Sequence, residues 1–184
     1  MVGAALAVSA FLGRRLYEMR VEWASMHTRY AVLAVGLAAW AVSTAPSWLA
    51  APTADGRLLG ASGSVHLLVL DVLGMLLVGT LYHIVQFVIW VVRYSDRLGF
   101  EPVVMIDHLD DYRLAAADGT LWVGGTVCIV ASEWVGLPSV VSGVGGVMLA
   151  LGAAAFSVNM LLVVHDHGPD SLDTVLLESL SPRR

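Results

Sequence analysis

Five side chains able to move protons, ligate a metal or hydrogen-bond lie in one apolar stretch: His66, Asp71, Tyr82, His83 and Gln86. Polar groups at membrane depth are costly, which makes them functional candidates. Asp71 and Tyr82 are eleven residues apart, close to three helical turns, so they share a face. An acid and a phenol on one face suit a proton path. His66 and His83 are seventeen apart and point about 100° away from each other. Neutral imidazole is a good donor to iron, so both are candidate haem ligands. A bis-histidine haem needs a second histidine at the same depth on another helix. His83 has one distant candidate, His165, and His66 has none on its own side. In the blander reading, His83 bonds to a neighbouring helix and His66 reaches the interface. The cofactor-binding candidates are therefore His66, His83 and His165, the proton-path candidates are Asp71 and Tyr82, and no residue is singled out as catalytic.

Weaker signals lie elsewhere. Glu133 belongs to the same outer region as Asp71, and Asn159 suits a bond between helices. Asp107-His108-Leu109-Asp110-Asp111 and His165-Asp166-His167 combine imidazole with carboxylate, a donor set for a divalent metal, although short acidic loops are usually just solvated. Cys128 is the only cysteine, which excludes an internal disulfide and a four-cysteine cluster built from this chain. No nucleophile elbow, phosphate-binding loop, HExxH or dinucleotide fingerprint occurs.

The elements that carry these residues follow from composition. The chain of 184 residues is 58% hydrophobic and 14% charged, against about 25% charged in an ordinary soluble domain. Its mean hydropathy is +0.77. A soluble fold cannot hide that much apolar surface, whereas lipid can. An all-α transmembrane bundle forming one domain is expected, with spans at 30–51, 65–93, 120–135 and 140–164. Val2–Leu12 is too short for a span of about 20 residues. It reads as a partial span, an interfacial segment or the remnant of a longer helix, since Arg14 and Arg15 follow it rather than precede it as in a signal peptide. Residues 14–29 read as a helix end and a short loop. Pro46 and Pro52 mark the far end of the first span. Residues 95–118 read as a polar loop, with a short surface helix over Met105–Ala117, and residues 165–184 as a polar tail with an apolar patch from Leu172 to Leu180.

All ten basic residues are arginine and the net charge is −5. No basic face exists to bind nucleic acid. Nine arginines fall on one side of the spans and only Arg57 on the other, so the positive-inside bias puts the 95–118 loop and the C-terminus in the cytoplasm, with the protein in the cell membrane. Two stripes of small residues, Thr120/Gly124/Cys128/Ser132 and Ser142/Gly146/Ala150/Ala154, predict a tight hairpin of the last two spans.

The segment from His66 to Tyr112 adds a resemblance. Its motifs are His66-Leu67-Leu68, Gly79-Thr80-Leu81-Tyr82-His83-Ile84-Val85-Gln86-Phe87, Trp90-Val91-Val92-Arg93-Tyr94-Ser95-Asp96-Arg97-Leu98-Gly99 and Glu101-Pro102-Val103-Val104-Met105-Ile106-Asp107. It resembles the C-terminal part of prokaryotic multi-span membrane proteins distantly similar to the haem–copper oxidase catalytic subunit. The resemblance implies that His66 matches a metal- or haem-ligating histidine and that His83 is the next candidate. Gln86 replaces an expected proline and Val92 an expected histidine, which argues against oxidase activity in this chain. The leading expectation is a haem- or metal-associated accessory subunit that meets other membrane subunits, or copies of itself, in the bilayer. The alternatives are a scaffold without cofactor and a small transporter or proton-conducting subunit using Asp71.

Overall fold

The computed structural model describes residues 1–20, 23–51, 59–60, 63–100 and 102–168, apart from the side chain of Asp107. Arg57, Glu101 and the apolar patch of the tail lie outside the described residues. Five helices follow in order: α1 (Val2–Glu18), α2 (Ser25–Ala50), α3 (Ser64–Arg97), α4 (Tyr112–Val135) and α5 (Ser139–His167). Within α3, residues Leu67–Leu73 are wound as a π-helix and Ser95–Arg97 tighten to a 3₁₀ turn. No strand occurs among the described residues. Helices α2 to α5 are each long and apolar enough to cross a membrane, and the chain is a multi-pass membrane protein.

The helices outrun the apolar stretches that announce them. Helix α2 begins at Ser25 rather than residue 30, so Arg29 lies inside it. Its N-terminus is closed by His27, whose Nδ1 accepts the Ala24 N–H at 2.9 Å. Pro46 does not end α2 but lies within its last turns. Helix α4 begins at Tyr112 rather than 120, so the end of the expected 95–118 loop is helical and includes Asp118. Asp111 is its N-cap: Oδ1 accepts the N–H groups of Arg113 and Leu114, a role for which aspartate is well suited. The expected surface helix over Met105–Ala117 is a single 3₁₀ turn, Ile106–His108, followed by the start of α4. Helix α1 continues through Arg14 and Arg15 to Glu18, with an Arg14–Glu18 ion pair at 2.7 Å. It packs on α2, where the Ser9 hydroxyl donates to the Ala34 carbonyl at 2.6 Å.

Helices α4 and α5 form the tight hairpin that the small residues predict; on α4 the expected stripe reaches the contact, where a Cβ on Gly124 would fall 2.5 Å from Met148 Cε and one on Gly145 3.0 Å from Cys128 Cβ, whereas on α5 the contact face is shifted. The buried positions are Ala115, Asp118, Gly125, Thr126, Val130 and Ser132 on α4 and Gly145, Gly152, Asn159, Met160 and Val163 on α5. At the Gly125/Gly145 crossing the backbones touch. A Cβ on Gly125 would fall 2.6 Å from the Gly145 carbonyl oxygen, and one on Gly145 2.7 Å from that of Gly125. Gly146, assigned to the contact stripe from sequence, has nothing within 4 Å of a Cβ, and Ala150 and Ala154 are exposed.

This difference is testable. Gly145→Ala is expected to destabilise the protein by about 1–3 kcal/mol, the usual cost of overpacking. Gly146→Ala is expected to be neutral or slightly stabilising, since alanine is the better helix former. Thermal unfolding of both variants in the same detergent checks the pair.

Candidate functional site

Two polar constellations are buried in the bundle. The first lies near the N-terminal ends of α2 and α4 and draws one residue from each spanning helix. Arg29 of α2 is 3% exposed and Asp118 of α4 is 2% exposed. They form an ion pair through Nη2 and Oδ1. Tyr82 of α3 donates its hydroxyl to Asp118 Oδ2 at 2.5 Å. Asn159 of α5 donates from Nδ2 to the Tyr82 oxygen at 3.0 Å. The Arg29 guanidinium also donates to the carbonyls of Ser25 and Ala115 at 2.8 and 3.1 Å and lies over the Tyr82 ring, 3.9 Å from its centroid. A cation above a phenol face, out of water, is held by the ring quadrupole as well as by the carboxylate.

Asn159 extends the network to the loop. Its Oδ1 accepts the Asp111 N–H at 3.0 Å and its Nδ2 donates to the Asp111 carbonyl at 3.1 Å. Asp110 accepts from the Ser25 hydroxyl at 3.1 Å. The acidic run 107–111 thus gives one N-cap and one contact to α2, and no metal-ligating group of three or more occurs among the described residues. Tyr82, read as half of a proton path with Asp71, is committed to Asp118 and Asn159.

Asp71 forms the second constellation. It lies in the π-helical stretch of α3 and is 5% exposed. Its carboxyl rests directly on Gly36 of α2, where a Cβ would fall 1.4 Å from Oδ2. Any larger residue at position 36 would expel it. The widened turn is buttressed by Trp122 of α4, which donates its indole N–H to the Leu70 carbonyl at 2.7 Å. Single π-turns inside α-helices often coincide with functional sites. Here the turn sets Asp71 on the wall of a cavity of about 550 Å³ between α2, α3 and α4.

The three histidines do not converge. His66 Nδ1 lies 2.9 Å from Glu133 Oε1 at the far end of the bundle, so Glu133 serves His66 rather than Asp71. His83 is exposed and stacks on Phe87, with ring centroids 6.0 Å apart. His165 is exposed and bonded to Asp166 at 2.8 Å. Because Asn159 meets Tyr82, His165 lies about 9 Å past that level along α5, while His83 is one residue past it on α3. That offset, with both rings exposed, does not fit one iron held between them within a single chain. His167 bonds the Tyr94 hydroxyl at 3.0 Å.

No family model, curated protein or solved structure matches the chain. The site residues that sequence reasoning missed are Arg29, Asp118 and Gly36. Arg29 and Asp118 were assigned to loops because each lies beyond the edge of an apolar run.

The network predicts a characteristic pattern of losses. Asp118→Ala leaves a buried guanidinium unpaired and is expected to cost about 3–5 kcal/mol, with most of the loss recovered in the Arg29→Met/Asp118→Leu double variant. Asn159→Ala removes neutral hydrogen bonds and is expected to cost about 1–2 kcal/mol. Unfolding midpoints in detergent, compared as a double-mutant cycle, measure both.

Proposed function

We propose that this protein is a small transporter that handles a solute or proton at Asp71. The observation that carries this reading is the Asp71 carboxyl oxygen, buried without a hydrogen-bond partner on the wall of an apolar cavity. An acid placed in a spanning helix, away from any cation among the described residues, stabilises nothing within the bundle. Ionisable groups at such depth mark solute and proton routes. By contrast, the charges of the Arg29–Asp118–Tyr82–Asn159 network are paired with each other, although Arg29 Nε has no partner, and the network serves as the fixed point against which the Asp71 region is held. The arginines exposed at one end, Arg14, Arg93, Arg97 and Arg113, support an orientation with that end and the C-terminus in the cytoplasm.

In proteoliposomes, a pH gradient is expected to drive Asp71-dependent flux. Asp71→Asn should lower the rate at least about tenfold, the loss expected for removing a proton-transferring group. A flux equal in wild type and variant would count against the reading.

One observation favours a second role as an accessory subunit in a larger, oxidase-like assembly. His83 is exposed among the outward apolar side chains Ile84 and Phe87. A polar ring on a lipid-directed face is more stable against a partner subunit or a second copy, where a neighbouring chain supplies the opposite ligand of a haem. Purified with its partners, such an assembly is expected to show a Soret band that His83→Ala abolishes; a colourless complex would refute this role.

A further inference from the structure

The cavity beside Asp71 carries a second polar group. Thr126 of α4 is 2% exposed, and its Oγ1 is buried without a hydrogen-bond partner. This is unusual within the bundle. The hydroxyls of Thr44, Thr120, Ser132 and Ser157 each donate to a carbonyl three or four residues earlier in their own helix. Thr126 and Asp71 both line the cavity. The remaining walls are apolar, with Gly36 and Ala39 on α2 and Val130 and Trp134 on α4. No cationic side chain among the described residues lines it, so the cavity presents a carboxyl oxygen that needs a donor and a hydroxyl that can accept or donate.

We propose that this cavity binds a primary or secondary amine carried on an apolar body, with Asp71 and Thr126 holding its N–H groups. The inference rests on the reading of Asp71 as the solute-handling residue and names the class of solute. The head-group follows from counting donors. An ammonium with two or three N–H groups satisfies both oxygens and supplies the charge that complements a carboxylate. An alcohol can donate to Asp71 and accept from Thr126, but it brings no charge to complement the carboxylate. A quaternary ammonium brings charge and no donor. A carboxylic acid sets a second carboxyl against the first. The body follows from shape. From Thr126 to Trp134 the groove runs eight residues along α4, about 12 Å, and a volume of about 550 Å³ lies within the range of drug-sized ligands, roughly 300–1,000 Å³. A bicyclic or tricyclic apolar group with a short amine arm fits these dimensions.

The test uses the full chain in lipid nanodiscs, with empty discs measuring partition into lipid. Equilibrium dialysis compares radiolabelled naphthylethylamine, naphthylethanol and naphthylethyl-trimethylammonium. The amine is expected to bind saturably at one per chain, about tenfold or more tighter than either analogue. Asp71→Asn should weaken it by about tenfold or more, and Thr126→Val by about threefold to tenfold. Equal binding of the alcohol, equal binding of the quaternary ion, or an absence of saturable binding would each overturn the proposal. Should Asp71→Asn fail to fold, the head-group series on the unaltered protein still decides. Asp71-dependent flux without amine binding would sink this inference and spare the transport reading, while amine binding without flux would do the reverse.

Discussion

A guanidinium and a carboxylate buried together between helices, at membrane depth, set the terms for the rest of this bundle. Either charge alone in hydrocarbon costs several kcal/mol, even by the most lenient scales. Paired, with the carbonyls of Ser25 and Ala115 accepting from Arg29, and with Tyr82, itself bonded by Asn159, donating to Asp118, they bind α2, α3, α4 and α5 at one level. In lipid no hydrophobic force presses helices together, so such bonds and close backbone packing must do so. The Gly125/Gly145 crossing supplies the packing for α4 and α5. The ion pair supplies the join between that hairpin and the two earlier spans.

This division of labour frees the Asp71 region. Three turns along α3 from Tyr82, the helix is locally widened and Asp71 presses on a bare Gly36 backbone. An unsatisfied buried group persists only where its surroundings hold it in place. The surroundings here are the Trp122 hydrogen bond to Leu70 on one side and the fixed network on the other. The paired network and the unpartnered Asp71 thus lie at different depths of the same helix. Tyr82 and Asp71 share a face, as their spacing implies, yet they face different partners.

Much of the architecture was legible from composition and apolar runs. The four spans, the α4–α5 hairpin and the polar content of α3 all follow from hydropathy, small residues and the expense of polar groups in lipid. Helix ends were less legible, because helices in membranes extend past their apolar stretch when their polar ends find partners. Arg29 and Asp118 are paired with each other across 89 residues of sequence, and no local pattern announces such a match. The contact face of α5 was misread because both Gly145 and Gly146 are small, and a one-residue shift turns the helix by about 100°. Gly36 carried no signal of its own. Its meaning arises only once Asp71 lies against it.

The separation of Arg29 from Asp118 has a consequence for biosynthesis. The chain is made from its N-terminus, so Arg29 enters the membrane with α2 while its counter-charge has yet to be translated. At about 5–20 residues per second, 89 residues take roughly 4–18 s. During that interval the arginine, one turn into α2, can reach up to the headgroups along its own flexible stem. The first span is therefore seated provisionally, and it draws inward only when α4 arrives with Asp118. Assembly of this bundle is ordered by charge, and its first spanning helix is among the last to settle.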